Sequence, residues 1–200
     1  FDYIQSLDRN TVFVVTADHG ELFCDHNLLA HRVVVTDPVS HVPLVVHGLN
    51  EIRDSTEDVV QHIDLTTTLV AQAGGPTDGL HGIDLRTETR EGAITQRGPE
   101  DFEIYLNRNP DFNTEQYHSS LLTSYRTLSY RFQTSEDRNE LFIPPNEETD
   151  VSDDHPELTA EFQSLIDEWF NEEGQRIDAN EESRLTDDMR AQLRDLGYVE

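Results

Sequence analysis

The densest chemistry in this chain lies in TADHGELFCDHNLLAHR, Thr16 to Arg32, which places three histidines and three acidic residues within seventeen positions. Asp18 and His19 lead it, directly after the apolar run TVFVV (Thr11–Val15). A carboxylate beside an imidazole suits a divalent cation, since carboxylate oxygens take hard ions and imidazole takes most first-row metals. Along an extended chain adjacent side chains diverge. Both reach one point only if the strand ends there in a turn, and Gly20 supplies backbone freedom for it. An Asp-His-Gly triplet alone is common at strand ends, so the elements around it decide its meaning.

Those elements read as follows. Thr11 to Thr16 and VPLVVHG (Val42 to Gly48) are short, apolar and without in/out alternation, the pattern of parallel strands covered on both faces. In open α/β sheets ligands bind beyond the carboxyl ends of such strands, where Asp18 falls. HIDLTTTLVAQAGG (His62 to Gly75) predicts a helix with Asp64 as N-cap, Leu65, Leu69, Val70 and Ala73 on one face, and Gly74-Gly75 as the stop. FEIYL (Phe102 to Leu106) and SSLLTSYRTLSYRFQ (Ser119 to Gln133) predict antiparallel strands. A Pro-containing connector follows, then a helix from Pro156 with Leu158, Phe162, Leu165, Ile166 and Trp169 inward. A last helix is expected from Thr186 to Gly197. The fold class is α/β: a layered sheet with helices over residues 1–100, and a smaller antiparallel sheet with terminal helices over 101–200.

The order of these motifs resembles the sulfatase family of the alkaline phosphatase superfamily. That family carries Asp-His-Gly or Asp-Asn-Gly after a hydrophobic strand, a Gly-Glu-His-Gly-type turn, then a basic residue. Here the turn is Cys24-Asp25-His26-Asn27, and His31 stands where the family usually has Lys. HVPLVV (His41 to Val46), VVQHIDLTTTLVAQAGG (Val59 to Gly75), GLHGIDL (Gly79 to Leu85) and NELFIPPNEETDVSDDHPEL (Asn139 to Leu158) continue it along the chain. The resemblance implies Asp18 and His19 as ligands of a divalent metal, usually calcium. It implies His31 as the catalytic residue that contacts the sulfate group or stabilises the leaving oxygen, with His26 lining the substrate site or bracing the turn. The family's formylglycine motif, Cys/Ser-x-Pro-x-Arg, does not occur here, so these residues are expected to be the C-terminal part of a sulfatase and to lack turnover alone. The substrate implied is a small-molecule or glycan sulfate ester. Two other classes stay open: a related phospho- or phosphonoester hydrolase or phosphotransferase using manganese or zinc, and a non-catalytic sulfatase-like binding domain.

The bulk composition narrows the setting. The formal charge is −27, from 41 acidic and 14 basic residues, and every basic residue is Arg. The carboxylates are spread between periodic apolar elements, which argues for a folded protein adapted to concentrated salt, of haloarchaeal type, over a disordered one. Its surface repels nucleic acid and anionic membranes, and no apolar run approaches the roughly 20 residues of a membrane span. A high-salt cytoplasm is the favoured compartment, a briny exterior the alternative. One cysteine, Cys24, excludes an internal disulfide and a Cys-rich zinc site, and reads as a bystander. His41, His47, His62, His81, His118 and His155 read as structural or surface residues, and the acidic runs as solvated faces.

Overall fold

The structure, a computed structural model, describes residues 11–49, 58–172 and 174. The expected helix over 186–197 lies outside them. Strand β1 (Phe13–Val15) pairs with β4 (Val45–His47), with Phe13 opposite His47 and Val15 opposite Val45. The pair is antiparallel, where the sequence predicted parallel strands. The chain leaves β1, runs out through a hairpin and a short helix, and re-enters at the end it left, so β4 must run back. Val15 and Val45 are each 45% exposed, because no described element covers that face.

Between them lie β2 (Leu22–Phe23) and β3 (Leu29–Ala30), a two-stranded hairpin closed by a 3-10 turn over Asp25–Asn27. Helix α1 (Asp37–Ser40) follows. Gly20 is not the turn glycine that the sequence suggested. Its φ is not positive, and a Cβ there would sit 2.0 Å from the Pro38 carbonyl oxygen. The Gly20 N–H donates to the Val39 carbonyl at 2.7 Å. Glycine is needed for close approach, which docks α1 under the Asp18-His19 segment.

Helix α2 (His62–Gln72) forms as predicted, with a different cap. Gln61 is the N-cap and Asp64 completes a capping box, accepting from the Gln61 N–H at 2.8 Å. Its buried face is polar. Asp64, fully buried, also accepts from the Ile83 N–H at 3.0 Å and is gripped by the Arg90 guanidinium, while the Thr68 hydroxyl accepts from the Leu85 N–H. Leu69, expected inward, is exposed. The loop over 82–90, not apolar packing, is what this helix turns toward.

Strands β5 (Ala93–Arg97), β6 (Leu122–Arg126), β7 (Arg131–Thr134) and β8 (Asn139–Phe142) form an antiparallel sheet in sequence order. One face packs on helix α4 (Pro156–Glu172), where Tyr125, Phe132 and Leu141 meet Phe162 and Ile166. Alternation puts Ser124, Gln133, Glu140, Arg126 and Arg131 on the other face, and Arg126 reaches Asp37 of α1. Phe102 to Leu106, predicted as a strand, is instead helix α3 (Glu103–Arg108). Phe102 and Tyr105, three apart, share a helical face and enter an aromatic cluster with Phe112 and Tyr117, and the Asp101 carboxylate accepts from the Glu103 N–H at 2.9 Å. Strand periodicity would split the two rings between opposite faces.

Candidate metal centre

The end of β1 delivers Asp18 and His19, and the hairpin's two arms deliver Glu21 and His31 beside them. The register that sets Leu22 opposite Ala30 makes Glu21 and His31 cross-strand neighbours one step further on, and the His31 Nδ1 lies 3.3 Å from Glu21 Oε2. The His19 and His31 rings stack, with centroids 4.0 Å apart and 27° between planes. One ligand atom each from His19, Glu21 and His31 lies within 4.8 Å of the others.

His19 Nδ1 sits 2.8 Å from the Gly20 carbonyl oxygen, which can only accept. The proton is therefore on Nδ1, and the Nε2 lone pair is free to bind an ion. That Nε2 is 3.8 Å from Asp18 Oδ2, a gap one divalent ion spans with bonds of about 2.0–2.6 Å. The His19 backbone N–H donates to Asp18 Oδ1 at 3.0 Å, and this bond lowers the Asp18 carboxyl pKa below its ordinary value. Asp18 is 81% exposed, a carboxylate facing outward. The donor set therefore fits a divalent ion.

The hairpin rests on side chains from far along the chain. Leu22, Leu28 and Val33 are buried against Tyr117, with Phe102, Tyr105 and Phe112 packed around them. The Tyr117 hydroxyl donates to the His26 carbonyl at 2.8 Å, clamping the turn. His26 is thus placed in the brace, outside the group formed by His19, Glu21 and His31. Arg32 reaches Glu100 at 3.3 Å. Below, Asp37 takes a two-pronged contact from Arg126 at 2.9 and 3.0 Å. The buried Glu147 carboxylate accepts from the Asp37 N–H at 2.9 Å and pairs with Arg131.

Several histidines fall elsewhere. His118 is buried between the Ser135 hydroxyl and Glu140, each at 2.7 Å, and His155 packs against Tyr130. His41 is largely exposed. His62 Nε2 comes within 3.4 Å of the Thr16 hydroxyl, near the strand end. Glu21 escaped the sequence reading. Its signal was available in the spacing: two positions from His19, on the arm facing His31.

The mixed α/β fold of sheets and helices matches that of sulfatase structures. The family model described as Sulfatase matches residues 1–75. The chain is similar to dog (Canis lupus familiaris) arylsulfatase K, at 23% identity over 176 residues, covering 82% of this chain and 32% of that protein. It thus spans about a third of that relative's length. Among solved structures it is similar to a 2-O GAG sulfatase, with TM-score 0.60, 19% identity, and 84% of this chain against 38% of that one. It is similar also to the phosphonate monoester hydrolase of Silicibacter pomeroyi, with TM-score 0.61, 18% identity, and coverage of 80% and 35%. Among the described residues no helix is long and apolar enough to cross a membrane.

Proposed function

We propose that the protein to which these residues belong hydrolyses sulfate esters, and that Asp18 and His19 hold its divalent metal, calcium in this reading. The observation that carries it is the placing of the His19 ring beyond the end of β1: Nδ1 2.8 Å from the Gly20 carbonyl oxygen and Nε2 3.8 Å from Asp18 Oδ2. A metal bound there neutralises negative charge on sulfuryl oxygens. His31, stacked on His19, is within reach of the same group and donates to a peripheral or leaving oxygen. His26 shapes the rim through its turn. The formylglycine nucleophile comes from residues other than these, and the substrate is a small-molecule or glycan sulfate ester, as similarity to a GAG sulfatase supports. The charge of −27 suits work at high ionic strength, in a salt-rich cytoplasm.

A second reading, phosphonate or phosphate ester hydrolysis with manganese or zinc, is supported by the similarity to a phosphonate monoester hydrolase. One experiment separates them. In the full-length protein, hydrolysis of nitrophenyl sulfate is expected to vanish with EDTA and return with Ca²⁺. Asp18→Asn is expected to slow it by about 10²–10³-fold, the usual loss for one contact to developing charge. Turnover unaltered by Asp18→Asn overturns the metal assignment. Turnover of a nitrophenyl phosphonate with Mn²⁺ or Zn²⁺, and none of the sulfate, moves the protein to the second reading.

A further inference from the structure

We propose that His19, Glu21 and His31 together form a transition-metal site that takes ions of the zinc class in preference to calcium. It takes the same His19 Nε2 that the reading above gives to calcium, so the two ions exclude one another there, and it does not use Asp18. Three observations converge on it. The His19 Nε2 lone pair is free because Nδ1 serves the Gly20 carbonyl. The His31 Nδ1 and Glu21 Oε2 are 3.3 Å apart, and the His19 and His31 imidazoles stack with a 27° tilt. The ligand atoms of all three residues fall within 4.8 Å of one another, close enough for small side-chain rotations to bring them to bonding distance of one ion.

The frame is fixed where it matters. Glu21 and His31 flank a hydrogen-bonded hairpin, and Gly20 is pinned to Val39 at 2.7 Å. Two imidazoles and one carboxylate are the donors that zinc, cobalt and nickel favour, leaving a position open for water or substrate. Calcium wants six to eight oxygens and is poorly served by two nitrogens.

The test titrates the 200-residue chain with Co²⁺ in about 1 M salt, where screening to ~3 Å suppresses diffuse binding to acidic surface. The readout is the ligand-field absorption of the bound ion. One equivalent is expected, displaced by Zn²⁺ and indifferent to excess Ca²⁺. Glu21→Gln and His31→Asn are each expected to weaken it by about 10- to 100-fold. His41→Asn, exposed and outside the cluster, controls for general histidine binding, and circular dichroism confirms that each variant folds. Displacement by Ca²⁺, or His31→Asn binding as tightly as the unaltered chain, overturns the proposal. So does loss of Co²⁺ binding in Asp18→Asn with Glu21→Gln unaffected, which would put the ion on the Asp18–His19 pair. The sulfatase reading is judged separately, by Ca²⁺-dependent hydrolysis in Asp18→Asn.

Discussion

Cys24 holds φ at +78°, and His26, Asn27, Ala30 and Val33 are also in the left-handed region within ten positions. A residue with a Cβ is disfavoured there by about 1–2 kcal/mol, and such strain gathers at functional loops. Cys24 is exposed, so its conformation can be relieved without opening a cavity. Cys24→Gly is expected to stabilise the chain by about 0.5–1 kcal/mol, the relief exceeding the added unfolded-state entropy. A denaturant titration checks it, and a lowered midpoint would mean the thiol packs productively. Glu140 governs a second prediction. Burial opposes its charge, but hydrogen bonds from His118, Arg138 and Gln133 outweigh burial and lower its pKa from 4.5 to about 2. A carboxyl depressed on folding stabilises above its ordinary pKa, and that contribution drains away as pH falls from about 4.5 toward 2. The difference is worth roughly 3 kcal/mol. Glu140→Gln should be the less stable protein at neutral pH and should converge with the unaltered chain near pH ~2, as thermal midpoints across the range will test. At this scale the closeness of Asp18 and His19 was legible, because neighbours in sequence stay neighbours in space. Glu21 and the Glu140 network were not, since their partners are set by pairing across strands.

Among the elements, α1 is the one whose docking rests on a single hydrogen atom. Gly20→Ala would drive a methyl into the Pro38 carbonyl and push α1 from the strand end. The expected cost is about 2–4 kcal/mol, overpacking plus one weakened hydrogen bond, read as a fall in the denaturant midpoint. Unaltered stability would show that α1 shifts freely. Helices α2 and α4 were legible from 3.6-residue periodicity, and Pro156 at the first turn marked where α4 begins. The buried face of α2 was misjudged because its partner is a polar loop gripped by Asp64, and periodicity counts only apolar residues. Helix α3 was misread as a strand since four aromatic and aliphatic residues in a run of five fit either period over so short a length. The strand AITQR (β5) carries one apolar alternation and an Arg, too little to announce itself before its neighbour β6 is known.

For the whole molecule, the excess of acid over base sets the conditions under which everything else operates. Raising salt from about 0.1 M to 1 M cuts the Debye length from ~10 to ~3 Å and relieves self-repulsion. The midpoint of thermal unfolding is expected to rise by roughly 5 °C over that range. A falling midpoint would mean that ion pairs such as Arg126–Asp37 contribute more than repulsion subtracts. The total charge was plain from composition, whereas the interdependence of the two halves was not. Asp37 sits in the first half, and Arg126, Arg131 and Glu147 in the second. That separation bears on how such a gene can recombine. A crossover between codons 41 and 126 that joins parents with different residues at these four places would leave a buried carboxylate or guanidinium without its counterion. Hybrids between relatives should therefore survive chiefly when both parents carry the same quartet, so the two segments are inherited as a linked pair even though a long stretch of chain divides them.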